Sequence, residues 1–375
     1  MIYTLTPDQK DMRATVRSML GRLSSNEHVR RAVDEPGGID VRLWNTAVRD
    51  LGLASILVQE SSGGLGLGWA DVAIVEREMG FHLSCIPFFA SSVLATQVLL
   101  SVSEGEDHSG LLEQLATGEA IASVAWREPS HLSWSFDVGL LEVQHVAGRV
   151  ARLRGTKTFV PHGLSADVLL VAARDSAGVG VYRVQTDGPG VRRKQLPTLD
   201  ATRPQCSVEF DGAEGFRLSE GDAAGALRHA FALAGIGLAA EQVGAGRRCV
   251  DMTVEYATMR KQFGHPIGSF QAVKHRLADA FTGVEAADAA VSLAADHADR
   301  RTEGCEGVAA VALAAAAEAN LRAAADCVQL HGAMGFTEEC DAQLYLKRAK
   351  SSAQLLGPPA FHRSIVADLV STQPS

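Results

Sequence analysis

The sequence predicts an α+β fold in which a helical N-terminal region, a middle β region and a C-terminal helical bundle follow one another. Three observations predict it. Apolar residues recur at helical spacing up to about residue 118. Short β-prone runs separated by turn residues fill 119–220. From 221 to 375 the chain is rich in alanine, with apolar patterns longer than an average globular helix. A chain of 375 residues has room for two or three domains of roughly 150 residues each. The domain boundaries expected from these changes of texture are 1–118, 119–220 and 221–375.

Taken in order, Thr6-Pro7-Asp8-Gln9 reads as a helix N-cap with proline in the first turn, and Met12, Val16, Met19 and Leu20 continue at helical spacing. Trp44, Val48, Leu51 and Leu53 predict a second amphipathic helix, and Ala70–Met79 another that ends at Gly80. Strands are expected at 121–125, 140–146, 150–153, 168–173, 179–184 and 206–210, with the breaker cluster Thr186-Asp187-Gly188-Pro189-Gly190 before the last. Their regular spacing points to a compact barrel or sandwich. Long helices are predicted at 227–259, 269–301 and 308–330, with shorter ones at 343–354 and 361–370. Gly235, Gly237, Gly244 and Gly246 suit close helix packing in a bundle.

Composition removes several classes of function. Hydrophobic residues make up 46% and charged residues 21%, an ordinary balance for a globular protein with a large core. A net charge of −9 without a basic block argues against nucleic acid as a partner. Cys85, Cys206, Cys249, Cys305, Cys327 and Cys340 show no CxxC pair, so reduced core thiols are expected and neither a metal site nor a disulfide framework. The N-terminus does not read as a secretory signal, and the apolar stretch 308–317 stops at Glu318, short of the roughly 20 residues a bilayer needs. A cytoplasmic protein without a membrane partner is expected.

Gly63 to Gly68 invites a dinucleotide-loop reading, but that fingerprint needs glycines at offsets zero, two and five. Gly64 and Gly66 fit, Trp69 stands at the third place, and no alternation of strands and helices follows. A surface loop is the better reading. The segment Tyr256 to Gly264 ends one long helix, and Ile267-Gly268-Ser269-Phe270-Gln271 opens the next. Arg260 brings a planar fork of donors suited to a pyrophosphate. Phe263 and Phe270 bring aromatic faces, and Gln262 and Gln271 bring amides. From physics alone this is an exposed helix end capped by polar side chains. Likewise, Gln329-Leu330-His331-Gly332 is by itself a glycine-ended helix.

Together, however, these segments resemble the flavin-binding signature of the acyl-CoA dehydrogenase family, down to His275-Arg276-Leu277-Ala278-Asp279. The stretch Gln329 to Phe336 resembles the family's glycine-rich segment, with Ala333 in place of a common glycine. Trp44, Gly52-Leu53, Glu60, Gly63-Gly64-Leu65-Gly66, Gly155, Lys157 and Gly163 with Ala166-Asp167 extend the likeness over nearly the whole chain. The resemblance implies an α-domain, a β-barrel-like domain and a C-terminal four-helix bundle that tetramerises. It implies FAD as cofactor, an acyl-CoA substrate and an electron-transfer flavoprotein or similar acceptor. It further implies that Arg260, Gln262, Phe263, Phe270, Gln271, Gln329, His331 and Gly332 contact FAD, with the Arg260–Phe263 and Gln329–Gly332 stretches reaching that of a neighbouring subunit.

The pattern breaks at the catalytic base. The family's reaction needs a carboxylate to take the α-proton. The glutamate position near the C-terminus is Leu356 here, and the alternative position on the first bundle helix is Ala234. Arg127 stands where a flavin-contacting threonine is usual, although Glu128-Pro129 is kept. Phe159-Val160-Pro161 replaces Trp-Ile-Thr, and Pro358 and Ala360 replace a threonine and a glutamine. Losses fall on the chain's own site, while the elements offered to a neighbour are intact. The resemblance therefore implies a subunit without its own base, in a heterotetramer with a paralogous subunit that carries the glutamate. Heteromeric family members of this kind act in steroid side-chain degradation. Two alternatives remain: a self-sufficient homotetramer with a displaced base, for which His131, His162 and Glu241 are candidates, and a flavin-free scaffold.

Overall fold

The computed structural model describes residues 4–35, 37–102, 106–129 and 138–371. Helices α1 (Pro7–Leu23), α2 (Asn26–Asp34), α3 (Val41–Asn45), α4 (Trp69–Phe81), α5 (Thr96–Val102) and α6 (Glu106–Thr117) precede the sheet. Strands β1 (Ala122–Ala125), β2 (Glu142–Ala147), β3 (Val150–Pro161), β4 (Val168–Asp175), β5 (Gly178–Gln185), β6 (Val191–Gln195) and β7 (Gln205–Arg217) follow. Helices α7 (Ala224–Met259), α8 (Gln271–Asp299), α9 (Cys305–His331), α10 (Ala342–Leu355) and α11 (Pro359–Ser371) complete the chain, with the short strands β8 (Lys261–Gln262) and β9 (His265–Pro266) between α7 and α8. An N-terminal helical region, a central sheet and a C-terminal bundle are thus present, as the sequence predicts.

Contacts gather the chain into two compact units, one of Met1–Arg30, Trp69–Ser84 and Gly235–Ser375, the other of Arg31–Gly68 and Cys85–Ala234. In the second unit the strands form one seven-stranded sheet, ordered β1-β4-β5-β7-β3-β2 with β6 paired to β7. Only the β1–β4 pairing is parallel. The sheet curls, because the Ser123 hydroxyl on β1 donates to the Pro161 carbonyl at the end of β3, at 2.6 Å. Leu153, Leu169, Val171, Tyr182, Val208 and Phe210 fill its concave side. β3 and β7 run well past the predicted 150–153 and 206–210, and β6 was not predicted. Each carries charged residues on its outer face: Arg192 of β6 pairs with Glu209 of β7 at 2.8 Å, and this polar alternation masks the strand signal.

The first unit is organised by α4 and α7 in unusually close approach. A Cβ on Gly80 would run into the Glu241 carbonyl oxygen, and one on Gly244 into the Arg77 carbonyl oxygen. Gly80 therefore serves packing and does not end the helix, which continues to Phe81. Gly246 lets α7 meet both Val284 of α8 and Asn320 of α9. Thr6 and Gln9 form a full capping box at the start of α1, and Arg17 of α1 grips Glu78 of α4 through two bonds of 3.0 and 2.9 Å. Downstream, the helix expected through Trp44, Val48 and Leu51 is α3 followed by a wider turn, and it stops before Leu53 because Gly52 takes a left-handed conformation (φ 65°). Among the described residues α9 is the one helix long and apolar enough to cross a membrane, yet 56% of that window is buried inside the protein. Most of its alanines are buried in the bundle.

Candidate functional site

In the first unit, the end of α7 and the end of α9 meet. The rings of Tyr256 and His331 stack with centroids 4.3 Å apart and planes 24° apart. This contact joins the two segments that the resemblance implies as cofactor-binding, since Arg260 lies one turn beyond Tyr256 and Gly332 directly follows His331. Arg260, Gln262, Phe263, Phe270, Gln271, Gln329 and Gly332 are exposed, and His331 is half-buried. No carboxylate pairs with Arg260 among the described residues. Gly332 has φ 63° and ψ −138°, a backbone that suits glycine, and open space surrounds the place a Cβ would take.

The sequence did not disclose how α7 turns back. Lys261–Gln262 and His265–Pro266 form a two-residue hairpin whose turn is Phe263-Gly264, with φ 53° and 83°. Two positive φ values in succession suit the twist of a tight hairpin, but such turns favour Asn-Gly or Gly-Gly. A phenylalanine there is strained by about 1–2 kcal/mol. Phe263 is also 89% exposed and touches Phe270 edge-on at 6.2 Å. A strained backbone under an exposed ring is an outlier that motivates a functional hypothesis for Phe263. The following motif is structural: Arg276 pairs with Asp326 at 3.1 Å, and Asp279 with Arg322 at 3.0 Å, both linking α8 to α9.

The positions of the family base are hydrocarbon and closed to solvent. Leu356, at the C-cap of α10, is 2% exposed, and Ala234 of α7 is 0% exposed. Of the alternative bases, Glu241 is bound to Arg348 at 2.9 Å inside the first unit, where both side chains are buried. A carboxylate held in a buried ion pair is a structural element, not a free base. His162 is buried rather than solvated, with φ 51° and its N–H on the Pro204 carbonyl. His131 lies outside the described residues. Sequence reasoning missed His362, which hydrogen-bonds the backbone of Gly357 and Leu356 while its Nε2 stays buried without a partner among the described residues. Burial pushes this imidazole down to about 4, so it is neutral near pH 7. Its place six residues beyond Leu356 was the only signal for it.

In the second unit, the loop after β1 is anchored from below. Glu128 accepts N–H bonds from Gly139, Leu140 and Leu141 at 3.2, 3.0 and 3.2 Å, and the Lys157 ammonium at 2.7 Å. Lys157 also donates to the Trp126 carbonyl. Both charged side chains are completely buried. Burial alone would raise the Glu128 carboxyl, but Lys157 and the backbone donors outweigh it and hold it below the usual range. Burial pushes Lys157 down to about 8 in spite of Glu128. On this platform the Arg127 guanidinium lies over the Phe159 ring at 4.9 Å, and Phe159 takes a left-handed φ of 52°. Burial lowers the Arg127 pKa. Where the resemblance expects a threonine hydroxyl and an indole, the chain has a cation on an aromatic face.

The donor set therefore fits FAD on one side only. The exposed edge of Arg260, Phe263, Gln329, His331 and Gly332 offers a cation, aromatic surface, amides and bare backbone. Leu356, Ala234 and Pro161 offer a flavin no hydrogen-bond donor from their side chains.

Comparison with known proteins identifies the family. The profile of the acyl-CoA dehydrogenase N-terminal domain matches residues 6–119, and that of the C-terminal domain matches 224–370. The acyl-CoA dehydrogenase IpdE2 of Mycolicibacterium smegmatis is 34% identical over 95% of this chain and 96% of its own length. FadE27 of Mycobacterium tuberculosis is 31% identical over 95% of both. Among solved structures, a chain of the ChsE4-ChsE5 complex of Mycobacterium tuberculosis superposes with a TM-score of 0.90 at 28% identity, with all of both chains covered. A steroid acyl-CoA dehydrogenase variant, Tcur3481-Tcur3483, gives 0.89 at 26% identity, covering 98% of this chain and 99% of that one. Fold, helix-end geometry and sequence lead to one assignment: the chain belongs to the acyl-CoA dehydrogenase family.

Proposed function

We propose that this chain is the subunit of a heteromeric acyl-CoA dehydrogenase that lacks the catalytic glutamate and completes the FAD site of a paralogous subunit. The observation that carries the proposal is the contrast between buried hydrocarbon at Leu356 and Ala234 and the intact exposed edge at Arg260–Phe263 and Gln329–Gly332. When bound, FAD accepts the β-hydride of an acyl-CoA thioester. This chain's residues would hold and orient it from across the interface, while the partner's carboxylate takes the α-proton. A subunit without that carboxylate forgoes about 10²–10⁴ in rate, roughly 3–5 kcal/mol of barrier. The presence of a two-component complex and a steroid dehydrogenase among the similar structures supports a paralogous partner and a bulky, steroid-derived acyl group. We further propose an electron-transfer flavoprotein or similar acceptor and a cytoplasmic location.

Coexpression with a glutamate-bearing paralogue, followed by native mass and flavin stoichiometry, tests the reading. A heterotetramer that turns over acyl-CoA, beside an isolated chain that does not, is the expected result. One observation favours the self-sufficient alternative: the unpartnered Nε2 of His362 beside the base position. Turnover by the isolated chain that disappears in His362→Phe would establish that alternative and overturn the proposal. A colourless preparation both alone and with the paralogue would mark a scaffold.

A further inference from the structure

The second unit holds a cation that no part of this reading uses. Arg127 follows β1, and its backbone is fixed by its neighbours. The Trp126 ring before it meets Phe231 edge-on at 4.9 Å, and the Trp126 carbonyl takes the Lys157 ammonium at 3.2 Å. The Arg127 carbonyl itself accepts the Thr158 N–H at 2.9 Å, and Glu128 after it is buried. On β3, the register against β7 shifts between Lys157 and Val160, and inside that bulge Phe159 takes its left-handed φ of 52°. A bulge re-aims side chains. This one brings the Phe159 ring against the Arg127 guanidinium, at 4.9 Å, on a backbone that strains any residue but glycine.

The charges around the pair do not balance. Glu128 and Lys157 satisfy each other at 2.7 Å, and Glu128 spends its remaining acceptor capacity on the N–H groups of Gly139, Leu140 and Leu141. No carboxylate among the described residues pairs with Arg127. The side chain is half-buried, and a guanidinium stays charged at any pH near neutrality. With one face on the ring, it has its N–H rim left to offer. That rim matches two oxygens carried by one atom, the geometry of a carboxylate or a phosphate group. A guanidinium already held by ring and backbone also loses little freedom when an anion arrives.

We propose that Arg127, held by Phe159, is an oxyanion-binding site of this chain, taking a carboxylate or phosphate group. It lies within the second unit and uses none of the residues of the edge at Arg260. At position 127 the resemblance expects an uncharged threonine, so the site belongs to this chain's own substitution and does not depend on the helper-subunit reading.

The test uses the free full-length chain, titrated calorimetrically at pH 7 and constant ionic strength with sodium phosphate and, separately, with sodium acetate. A chain of net charge −9 repels anions in general, so uptake at one place stands out. At least one of the two anions is expected to bind, and Arg127→Gln to weaken it about tenfold or more, as loss of a charge-assisted fork does. Arg127→Lys keeps the charge without the fork and is expected to weaken binding about threefold. Phe159→Leu frees the guanidinium from its ring and is expected to do the same, about threefold. Circular dichroism checks the fold of each variant, and the Lys and Leu variants carry the comparison should Arg127→Gln not fold. Tighter binding of phosphate assigns a phosphate-bearing ligand, and tighter binding of acetate a carboxylate. If neither anion binds, or the folded variants bind as the wild type does, the site is overturned while the helper-subunit reading stands.

Discussion

Replacing Lys157 by methionine removes the ammonium paired at 2.7 Å with the completely buried Glu128 carboxylate. Three backbone N–H donors remain on it, at 3.0–3.2 Å, so it is not bare, but removing one partner of a buried pair costs about 3–5 kcal/mol. The reverse change is milder. Lys157 is already down at about 8, so shedding its proton at pH 7 costs only about 1.4 kcal/mol, one pKa unit, and Glu128→Gln lets it do so. Glu128→Gln is therefore expected to cost about 1–3 kcal/mol. The double variant should cost less than the sum of the two, because neither charge is then stranded. Urea unfolding at pH 7 reads all three. A pH series adds a check of sign. Lys157 has its folded value lowered, so between about 8 and its ordinary 10.5 the unfolded chain binds a proton that the folded chain does not. Wild-type stability should then rise across that window by about 1.4 kcal/mol per pH unit from this residue, and Lys157→Met should remove that component. A Lys157→Met loss below about 1 kcal/mol would refute the view that this pair anchors the loop carrying Arg127.

Other outcomes follow from the same structure. Gly80→Ala and Gly244→Ala force α4 and α7 apart against backbone carbonyls, and each should lower stability by about 1–3 kcal/mol or more in thermal melts. Phe263→Gly relieves the left-handed strain, so the free chain should gain about 1 kcal/mol while flavin retention by the complex falls; a chain stabilised without loss of flavin would contradict the role of that ring. His362 is held near 4 by burial against about 6.5 in the unfolded chain, which therefore takes up a proton first as pH falls. Stability should drop by about 1.4 kcal/mol per pH unit between about 6.5 and 4 from this residue, and His362→Gln should flatten that part of the curve.

The bundle was legible because alanine-rich helical patterns and punctuation such as Pro359 leave little choice of ends: α7 begins three residues before the predicted start, and α8 begins and ends within two. Strands were legible at full length where both faces are apolar, as in β4, while β2 was placed within two residues although it is largely exposed. In β3, where arginines alternate with core residues, only 150–153 was legible, and β6, a largely polar run without a buried residue, was hidden altogether. The base positions were readable through resemblance alone, since Leu356 and Ala234 look like any core residue. The Phe263-Gly264 hairpin was hidden because phenylalanine is not a turn former, and its strain appears only in φ. The stacking of Tyr256 on His331 could not be read at all, because it joins helix ends far apart in sequence that meet only in the folded bundle.

Phe263 has a consequence for how such a chain must be made. A subunit that keeps a strained aromatic ring in water has something to gain from assembly and something to lose from waiting. Under the helper-subunit proposal, a copy made without its counterpart keeps that ring in water, and paired production of the two polypeptides would spare it that exposure.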